Sequence, residues 1–432
     1  MKIVLVAAAR PNFMKVAPLM RAIDRHNAGV SNPELKLDYL LVHTGQHYDY
    51  GMSQVFFEDL ELPAPDIHLG VGSGSHAEQT GGVMIEFEKV LLEEKPDLVV
   101  VVGDVNSTLA AALAAVKLHI PVAHVEAGVR TGDLGMPEEV NRLLTDHISD
   151  YLFTTSKYDD ANLKKEGIPP EKIFRVGNIM ADSLVMCSGI AGHSDVLGRL
   201  GLKEGQYALL TLHRPSNVDA KDKLQLILSR VERVARKIPV VFPAHPRTLK
   251  NLLKFGLDKF VPVIAPDPVI APDPVIAPDP VIAPDPVIAR SPLATKQSPG
   301  SLLITDPLGY RDMLKLEMGA CFVITDSGGV QVETAVLGVP CLTVMDYPVW
   351  RITHEAGCNR LVGSDCAGLE REAAKILNSP PQPQPQSQSQ SQSQSQSQSQ
   401  SKSKSKSKSK SKSPIPLWDG HTADRIISAL LK

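Results

Sequence analysis

The sequence predicts an α/β protein of two Rossmann-like domains, with its active site in the cleft between them. Short apolar runs rich in β-branched residues alternate with helical patterns, which is typical of parallel sheets covered on both faces. The series lapses near residue 185 and then starts again. In addition, a chain of 432 residues is too long for one ordinary core.

The first domain is predicted to span residues 1–185 and the second residues 186–378. Strands of the first domain are predicted at 3–6, 37–42, 98–102 and 121–125, with helices at 11–26 and 107–118. Strands of the second domain are predicted at 207–212, 239–242, 302–305, 321–325 and 340–344. Ligands of such sheets bind beyond the carboxyl ends of the strands, so polar residues that follow strands are the candidate functional residues.

Two low-complexity segments interrupt this pattern. Residues 262–291 repeat PVIAPD, and the frequent proline indicates an inserted polyproline-like or disordered loop. Residues 379–414 run through PQ, SQ and SK dipeptides and are predicted to be disordered, as a solvated spacer or as a tether for a polyanion. Residues 415–432 predict a helix that packs back on the first domain.

The composition argues against several classes of protein. The formal net charge of −3 gives no general attraction to nucleic acid or to a membrane, and the apolar start of the chain is too short for a signal peptide. The cysteines form no CxxC pair, which is typical of reduced thiols in a cytoplasmic protein. The sequence contains no HExxH, GxGxxG or Walker motif, so no metal and no cofactor are predicted.

Charged residues follow the predicted strands of the first domain. Arg10 and Lys15 flank a helix start that suits an anion, although two ordinary surface cations explain them equally well. Asp104 alone is best interpreted as a helix cap. Together with Glu126 after the next strand and Glu138 in MPEEVNR, however, it predicts proton transfer, because crowded carboxylates raise one another's pKa toward neutrality.

The second domain contributes histidines and a glycine turn. His213 and His245 follow successive strands beside basic residues, which favours phosphate contact or acid–base chemistry. Ser327 and the two glycines after it lead from a strand into a helix, so bare N–H groups can meet phosphate oxygens. An ordinary tight turn is the alternative. Glu333 lies further along that helix, where a carboxylate could hold ribose hydroxyls.

In this order the residues resemble the non-hydrolysing UDP-N-acetylglucosamine 2-epimerase family, which has the GT-B fold. The similarity covers almost the whole chain outside the two repeats. The matching segments are RPNFMKVAPL at 10–19, TGQHYD at 44–49, GDVNSTLA at 103–110, HVEAGVRTGD at 124–133, MPEEVNR at 136–142, GN at 177–178, HRPSNVD at 213–219, HPRT at 245–248, DPLGY at 306–310, TDSGGVQVE at 325–333 and LGVPCLT at 337–343.

The resemblance implies interconversion of UDP-N-acetylglucosamine and UDP-N-acetylmannosamine for surface polysaccharide synthesis, without cofactor or metal. A base removes the C2 proton, UDP leaves C1, the bound 2-acetamidoglucal is reprotonated on its other face, and UDP adds back. The implied acid–base residues are Asp104, Glu126, Glu138 and His213. The implied substrate-binding residues are Arg10, Lys15, Arg142, His245, Leu308, Met313, Ser327, Gly328, Gly329 and Glu333.

The resemblance also raises questions beyond the reaction itself. Gln46 and His47 match residues that form an activating second UDP-sugar site in bacterial members, and the family is often homodimeric. Trp350 stands where the family has an arginine, with Arg351 one place along, and Val332 replaces an acid. These departures put contacts on the uridine side or in a closing loop in question.

Four alternatives to this function stay open. They are epimerisation of a modified UDP-sugar such as a 2,3-diacetamido uronic acid, hydrolysis to free N-acetylmannosamine, glycosyl transfer, and a nucleotide-sugar sensor without turnover. Three acids at one rim favour proton shuttling over transfer to an acceptor.

Overall fold

The computed structural model describes residues 1–8, 10–45, 63–257, 302–379 and 413–432, and for Arg10 the backbone alone. Gln46, His47 and the PVIAPD repeat lie outside the described residues, as does almost all of the Ser/Gln/Lys tract.

The described residues form two separate parallel sheets. The strands of the first sheet are β1 (Lys2–Ala7), β2 (Asp38–His43), β3 (Ile67–His68), β4 (Leu98–Val102), β5 (Val122–Ala127), β6 (Tyr151–Thr154) and β7 (Ile173–Arg175). Their order is β3-β2-β1-β4-β5-β6-β7. The chain therefore reverses its direction of travel across the sheet between β1 and β4, which is the switch point where doubly wound sheets bind ligands.

Helices cover both faces of this sheet. They are α1 (Arg10–Gly29), α2 (His76–Glu94), α3 (Asn106–Lys117), α4 (Pro137–Ile148), α5 (Lys157–Lys165) and α6 (Ile179–Ala191), with 3₁₀ turns at Pro33–Leu35 and Pro170–Lys172. Local sequence determines several of their starts. Ser75 and Glu78 form a reciprocal capping box before α2, and Pro137 occupies the first turn of α4, where its missing N–H costs nothing.

The second sheet repeats the same plan. Its strands are β8 (Ala208–Thr211), β9 (Val240–Pro243), β10 (Leu302–Thr305), β11 (Phe322–Thr325), β12 (Cys341–Thr343) and β13 (Asn359–Leu361), in the order β10-β9-β8-β11-β12-β13. Its helices are α7 (Val196–Arg199), α8 (Pro215–Val218), α9 (Lys221–Ala235), α10 (Pro246–Lys254), α11 (Tyr310–Gly319), α12 (Gly328–Leu337), α13 (Arg351–Glu355) and α14 (Leu369–Leu377). Two parallel, doubly wound sheets confirm the predicted fold class.

Two elements connect the domains. Helix α6 packs against α1 of the first domain and against α11 and α12 of the second, so one hydrophobic cluster includes Met14 and Leu184 together with Leu314 and Val332. After the second domain the chain returns to the first, where α15 (Thr422–Leu430) packs on α1 and α6. Asp182 of α6 fixes this return by accepting hydrogen bonds from the backbone N–H groups at the start of α15.

All five cysteines are free thiols. Within the described ranges, no helix has the length and apolar character needed to cross a membrane. The same ranges contain no group of three or more histidine, cysteine or acidic side chains that could hold a metal ion.

Candidate active site at the carboxyl edges of the two sheets

Glu126 has the most unusual backbone in the first sheet. It lies near the end of β5 with φ of +73°, where the register with β6 shifts between Val125 and Ala127. A left-handed conformation costs a non-glycine residue about 1–2 kcal/mol, and such strain concentrates at functional sites. The resulting bulge turns the Glu126 side chain to the carboxyl edge of the sheet.

The Glu126 carboxylate forms one ion pair. Lys15 Nζ, from the second turn of α1, donates to its Oε2 atom, and both side chains are largely buried. The other oxygen, Oε1, is buried without a hydrogen-bond partner in the described part of the chain. Gly103 makes room for this pair, because a Cβ there would lie 3.0 Å from Lys15 Nζ and the residue needs φ of +70°.

Asp104 is held by Arg142. The guanidinium on α4 donates from Nη2 to Asp104 Oδ2 at 2.5 Å and from Nη1 to Glu139 Oε2 at 2.8 Å. Burial lowers the pKa of Arg142, but the two carboxylates outweigh it and raise that pKa above its ordinary value. We expected crowded carboxylates that raise one another's pKa. The structure instead pairs Asp104 with Arg142 and Glu126 with Lys15, so each of these carboxylates has its own cation.

The two glutamates at the start of α4 have different surroundings. Glu138 is exposed, whereas Glu139 is buried and accepts hydrogen bonds from the N–H groups of Thr131 and Gly132. Burial alone would raise the pKa of Glu139, but these bonds and Arg142 lower it. Glu139 therefore anchors the loop before α4, a role that sequence reasoning missed, and Glu138 faces solvent at the helix start.

The edge of the second sheet presents the Ser-Gly-Gly turn. Ser327 caps α12, and the helix begins at Gly328. Neither Gly328 nor Gly329 has a positive φ, and a Cβ on either would make only ordinary contacts, 3.6 Å and 3.8 Å from its nearest neighbour. The turn itself therefore does not require glycine. Bare N–H groups at this helix start are instead left open to close approach by an anion.

A buried aspartate that sequence reasoning missed connects this turn to the histidine loop. Asp326 accepts hydrogen bonds from the N–H groups of His213 and Arg214 and from Asn217, and it lies 3.1 Å from His213 Nδ1. Burial would raise its pKa, but His213, Asn217 and Arg214 lower it. The only sequence signal was its place directly before Ser327. Asp326 thus fixes the His213 ring, whose side chain is 46% exposed.

His245 lies beside His213, with 6.4 Å between the ring centroids. It caps α10 by accepting a hydrogen bond at Nδ1 from the Arg247 N–H at 3.2 Å. Burial lowers its pKa, and His213 and Arg247 lower it further. The cap uses the Nδ1 atom, and contact between His245 and the substrate stays a prediction.

Glu333 lies buried on α12 and accepts a hydrogen bond from the Tyr310 hydroxyl at 2.8 Å. Glu317, fully buried on α11, has its pKa raised well above the ordinary value, first by burial and then by Glu333. No sequence pattern marks Glu317 as an interior acid. Leu308 and Met313, the residues matched to uridine contacts, are partly buried in the neighbouring hydrophobic cluster.

The substituted segment between β12 and α13 supports the glycine turn. The Trp350 indole N–H donates to the Gly328 carbonyl at 3.0 Å, and its ring meets Trp418 edge-on at a centroid distance of 6.1 Å. The Arg351 guanidinium lies 4.4 Å from the centre of the Tyr158 ring in the first domain. Trp350 therefore braces α12, and Arg351 bridges the domains.

The fold and the polar edges define a class of protein. Two doubly wound sheets joined by α6 form a GT-B fold, and each sheet presents charged residues at its carboxyl edge. A family model described as UDP-N-acetylglucosamine 2-epimerase matches residues 31–431. The chain belongs to this family of isomerases.

Individual relatives agree with this assignment. A UDP-N-acetylglucosamine 2-epimerase homolog of Methanococcus maripaludis is 41% identical over 84% of this chain and 89% of its own length. The UDP-2,3-diacetamido-2,3-dideoxy-D-glucuronate 2-epimerase of Pseudomonas aeruginosa is 38% identical over 84% and 89%. The crystal structure of the Methanocaldococcus jannaschii UDP-GlcNAc 2-epimerase with UDP-GlcNAc and UDP superimposes with a TM-score of 0.74, at 36% identity over 100% and 99% of the chains.

Proposed function

We propose that the protein interconverts UDP-N-acetylglucosamine and UDP-N-acetylmannosamine in the cleft between its domains, as a step toward surface polysaccharide precursors. The C2 proton is removed, UDP departs from C1, and 2-acetamidoglucal stays bound until it is reprotonated on the opposite face and UDP returns. The first sheet supplies the carboxylates that act on the sugar. The second sheet binds the diphosphate, so the substrate spans both domains.

The Glu126 carboxylate is the observation on which this proposal mainly depends. A strained backbone holds it at the sheet edge, Lys15 pairs with its Oε2 atom, and its Oε1 atom is buried without a partner in the described chain. A carboxylate oxygen without a hydrogen-bond partner is available to accept a proton. The C2 carbon carries the acetamido group and adjoins C1, from which UDP departs. Removing the proton from C2 requires such a base. Asp104 and Glu138 are the other proposed acid–base residues.

The helix start at Ser327 supports binding of the diphosphate. Its glycines leave room that neither backbone conformation nor packing explains. A diphosphate can use the free N–H groups and the positive end of the α12 dipole. His213, Lys15 and Arg10 are proposed to face the sugar and the phosphates. Leu308 and Met313 are proposed to lie beside the uracil, and Glu333 at the ribose.

Solvent deuterium tests the reaction directly. In heavy water, both UDP-sugars are expected to acquire deuterium at C2 as they interconvert, because each turnover breaks the C2–H bond and re-forms it from an enzyme acid. Proton NMR of the C2 signal against time measures this. Turnover that leaves C2 fully protonated would exclude the elimination route, and free UDP as the main product would indicate hydrolysis instead.

Gly329→Ala separates ligand approach from turn formation. The added methyl group meets only ordinary contacts, and alanine favours helix over glycine by about 1 kcal/mol, so thermal stability should hold or rise. The affinity for UDP is expected to fall about tenfold, measured by titration calorimetry, because the methyl group blocks the helix start. Gly338→Ala is the contrasting change: at φ of +73° it should destabilise the protein and leave UDP affinity unchanged.

The modified-sugar reaction is a second candidate. It is favoured by the 38% identity to an enzyme named for 2,3-diacetamido-2,3-dideoxy-glucuronate, close to the identity with the maripaludis protein. Parallel deuterium assays with the two UDP-sugars distinguish the substrates by their relative kcat/KM.

A cytoplasmic homodimer is also proposed. Ile85 and Leu92 of α2 and Val140 and Leu144 of α4 are exposed apolar side chains on helices that flank α3. Light scattering should give about twice the 46.7 kDa mass of one chain, and the mass of a single chain would contradict the dimer.

A further inference from the structure

His124 is a fully buried histidine on β5, two residues before Glu126. Its Nε2 atom lies 2.8 Å from the carbonyl oxygen of Gly103, and its Nδ1 atom lies 2.6 Å from Asp146 Oδ1 on α4. Neither contact belongs to the acid–base or substrate-binding groups assigned above. Both contacts nevertheless end beside those groups, since Gly103 directly precedes Asp104.

The His124 ring and Asp146 connect two parts of the backbone. A carbonyl oxygen only accepts hydrogen bonds, so Nε2 donates to Gly103. Asp146 contacts the ring through Oδ1 and uses Oδ2 to accept from the Gly128 N–H at 3.0 Å and from Arg130 Nη2 at 2.7 Å. The pair therefore joins the Gly103 carbonyl to the Gly128 N–H through two buried side chains.

Asp146 is the buried carboxyl group at the centre of this cluster. It lies on α4 against the His124 ring, and Arg130, in the loop after β5, is the cation on its other side. Arg130 in turn forms paired hydrogen bonds to Glu166 at 2.8 Å each. Burial would raise the pKa of Asp146, but His124 and Arg130 lower it.

The His124–Asp146 pair fixes two backbone turns at once. Gly103, at φ of +70°, is held by His124 at its carbonyl and by the Val125 carbonyl at its N–H. Gly128, two residues after Glu126, is held by Asp146 at its N–H. One His124–Asp146 pair thus restrains the turn that presents Asp104 and the turn that follows Glu126.

We propose that the buried His124–Asp146 pair positions the Asp104 and Glu126 carboxylates for proton transfer by restraining the turns beside them. This inference rests on the proposed function, because it assigns those carboxylates to the chemistry. His124 and Asp146 act through their neighbours and are positioning residues. A displacement of the carboxylates by about 1 Å would reduce the rate about 100-fold.

The hydrogen bond between the ring and Asp146 can be measured in the unaltered protein. In protein labelled with ¹⁵N-histidine, one ring proton is expected far downfield and slow to exchange with solvent, because it is buried in a short hydrogen bond to Asp146. Loss of that signal in His124→Gln assigns it. Absence of the signal from the wild-type protein would overturn the proposal without any variant having to fold.

The positioning role is tested by kinetics. His124→Gln and Asp146→Asn should lower kcat about 100-fold with KM changed less than about threefold. Asp182→Asn, which disturbs the buried anchor of α15, is the control: it should lower stability and leave both kcat and KM unchanged.

The outcomes separate the two hypotheses. If the wild-type protein exchanges C2 deuterium and folded His124→Gln retains full kcat, the positioning role is wrong and the proposed function stands. If the wild-type protein shows no C2 exchange, the proposed function itself fails, whatever the state of His124.

Discussion

Glu126→Gln is expected to lower epimerisation about 1,000-fold while the affinity for UDP stays within about threefold of the wild-type value. The change is nearly isosteric, so the bulged backbone at φ of +73° can persist. It removes the negative charge that accepts the proton and leaves the amide in its place. NMR of C2 deuterium exchange measures the chemistry, and calorimetry with UDP measures the binding.

The matched control for Glu126→Gln is Glu171→Gln, an exposed glutamate in the 3₁₀ turn before β7. It should keep full activity. If Glu126→Gln loses UDP affinity as strongly as it loses turnover, Glu126 has a structural role in the cleft. If turnover is unchanged in Glu126→Gln, the base is Asp104 or Glu138.

Trp418→Ala is expected to reduce the free energy of unfolding by about 3–5 kcal/mol, since it empties one of the largest fully buried sites in the described chain. It also removes the indole hydrogen bond to the Thr155 carbonyl at 3.1 Å and the edge-on contact with Trp350. Because Trp350 braces the Gly328 carbonyl, weaker UDP binding should accompany the loss. Urea unfolding and UDP titration measure the two effects.

Trp418→Phe discriminates between packing and hydrogen bonding at this site. It keeps most of the buried ring and loses the hydrogen bond to Thr155, so the free energy of unfolding is expected to fall by about 1–2 kcal/mol. If the free energy of unfolding of Trp418→Ala stays within about 1 kcal/mol of the wild-type value, the segment after the Ser/Gln/Lys tract does not stabilise the first domain.

Strand bounds were predictable where the strand is an unbroken run of aliphatic and β-branched residues. The predicted and observed bounds agree for β4, a central strand, and for β10, at one edge of the second sheet. The strands β3, β6, β7 and β13 were not predicted. They have two to four residues each, and three of them lie at sheet edges, so their pairing depends on neighbours distant in the sequence rather than on a local pattern.

The site was predictable as a set of positions and not as a set of contacts. Acids at strand ends can be read directly, which is why Asp104 and Glu126 were found. Their partners lie on other helices: Lys15 is 111 residues from Glu126, and Arg142 is 38 residues from Asp104. Glu139 is buried and Glu138 is exposed in the structure. Two adjacent glutamates in the sequence do not show which of them faces the core.

The route of the chain also constrains how the two domains can move. The polypeptide passes from the first domain to the second at α6, and α15, which follows the return, packs directly on α6. The described connections between the domains therefore meet at one place. Closure on a substrate should be a rotation centred on α6, and a ligand that stiffens the contact between α6 and α15 would resist it.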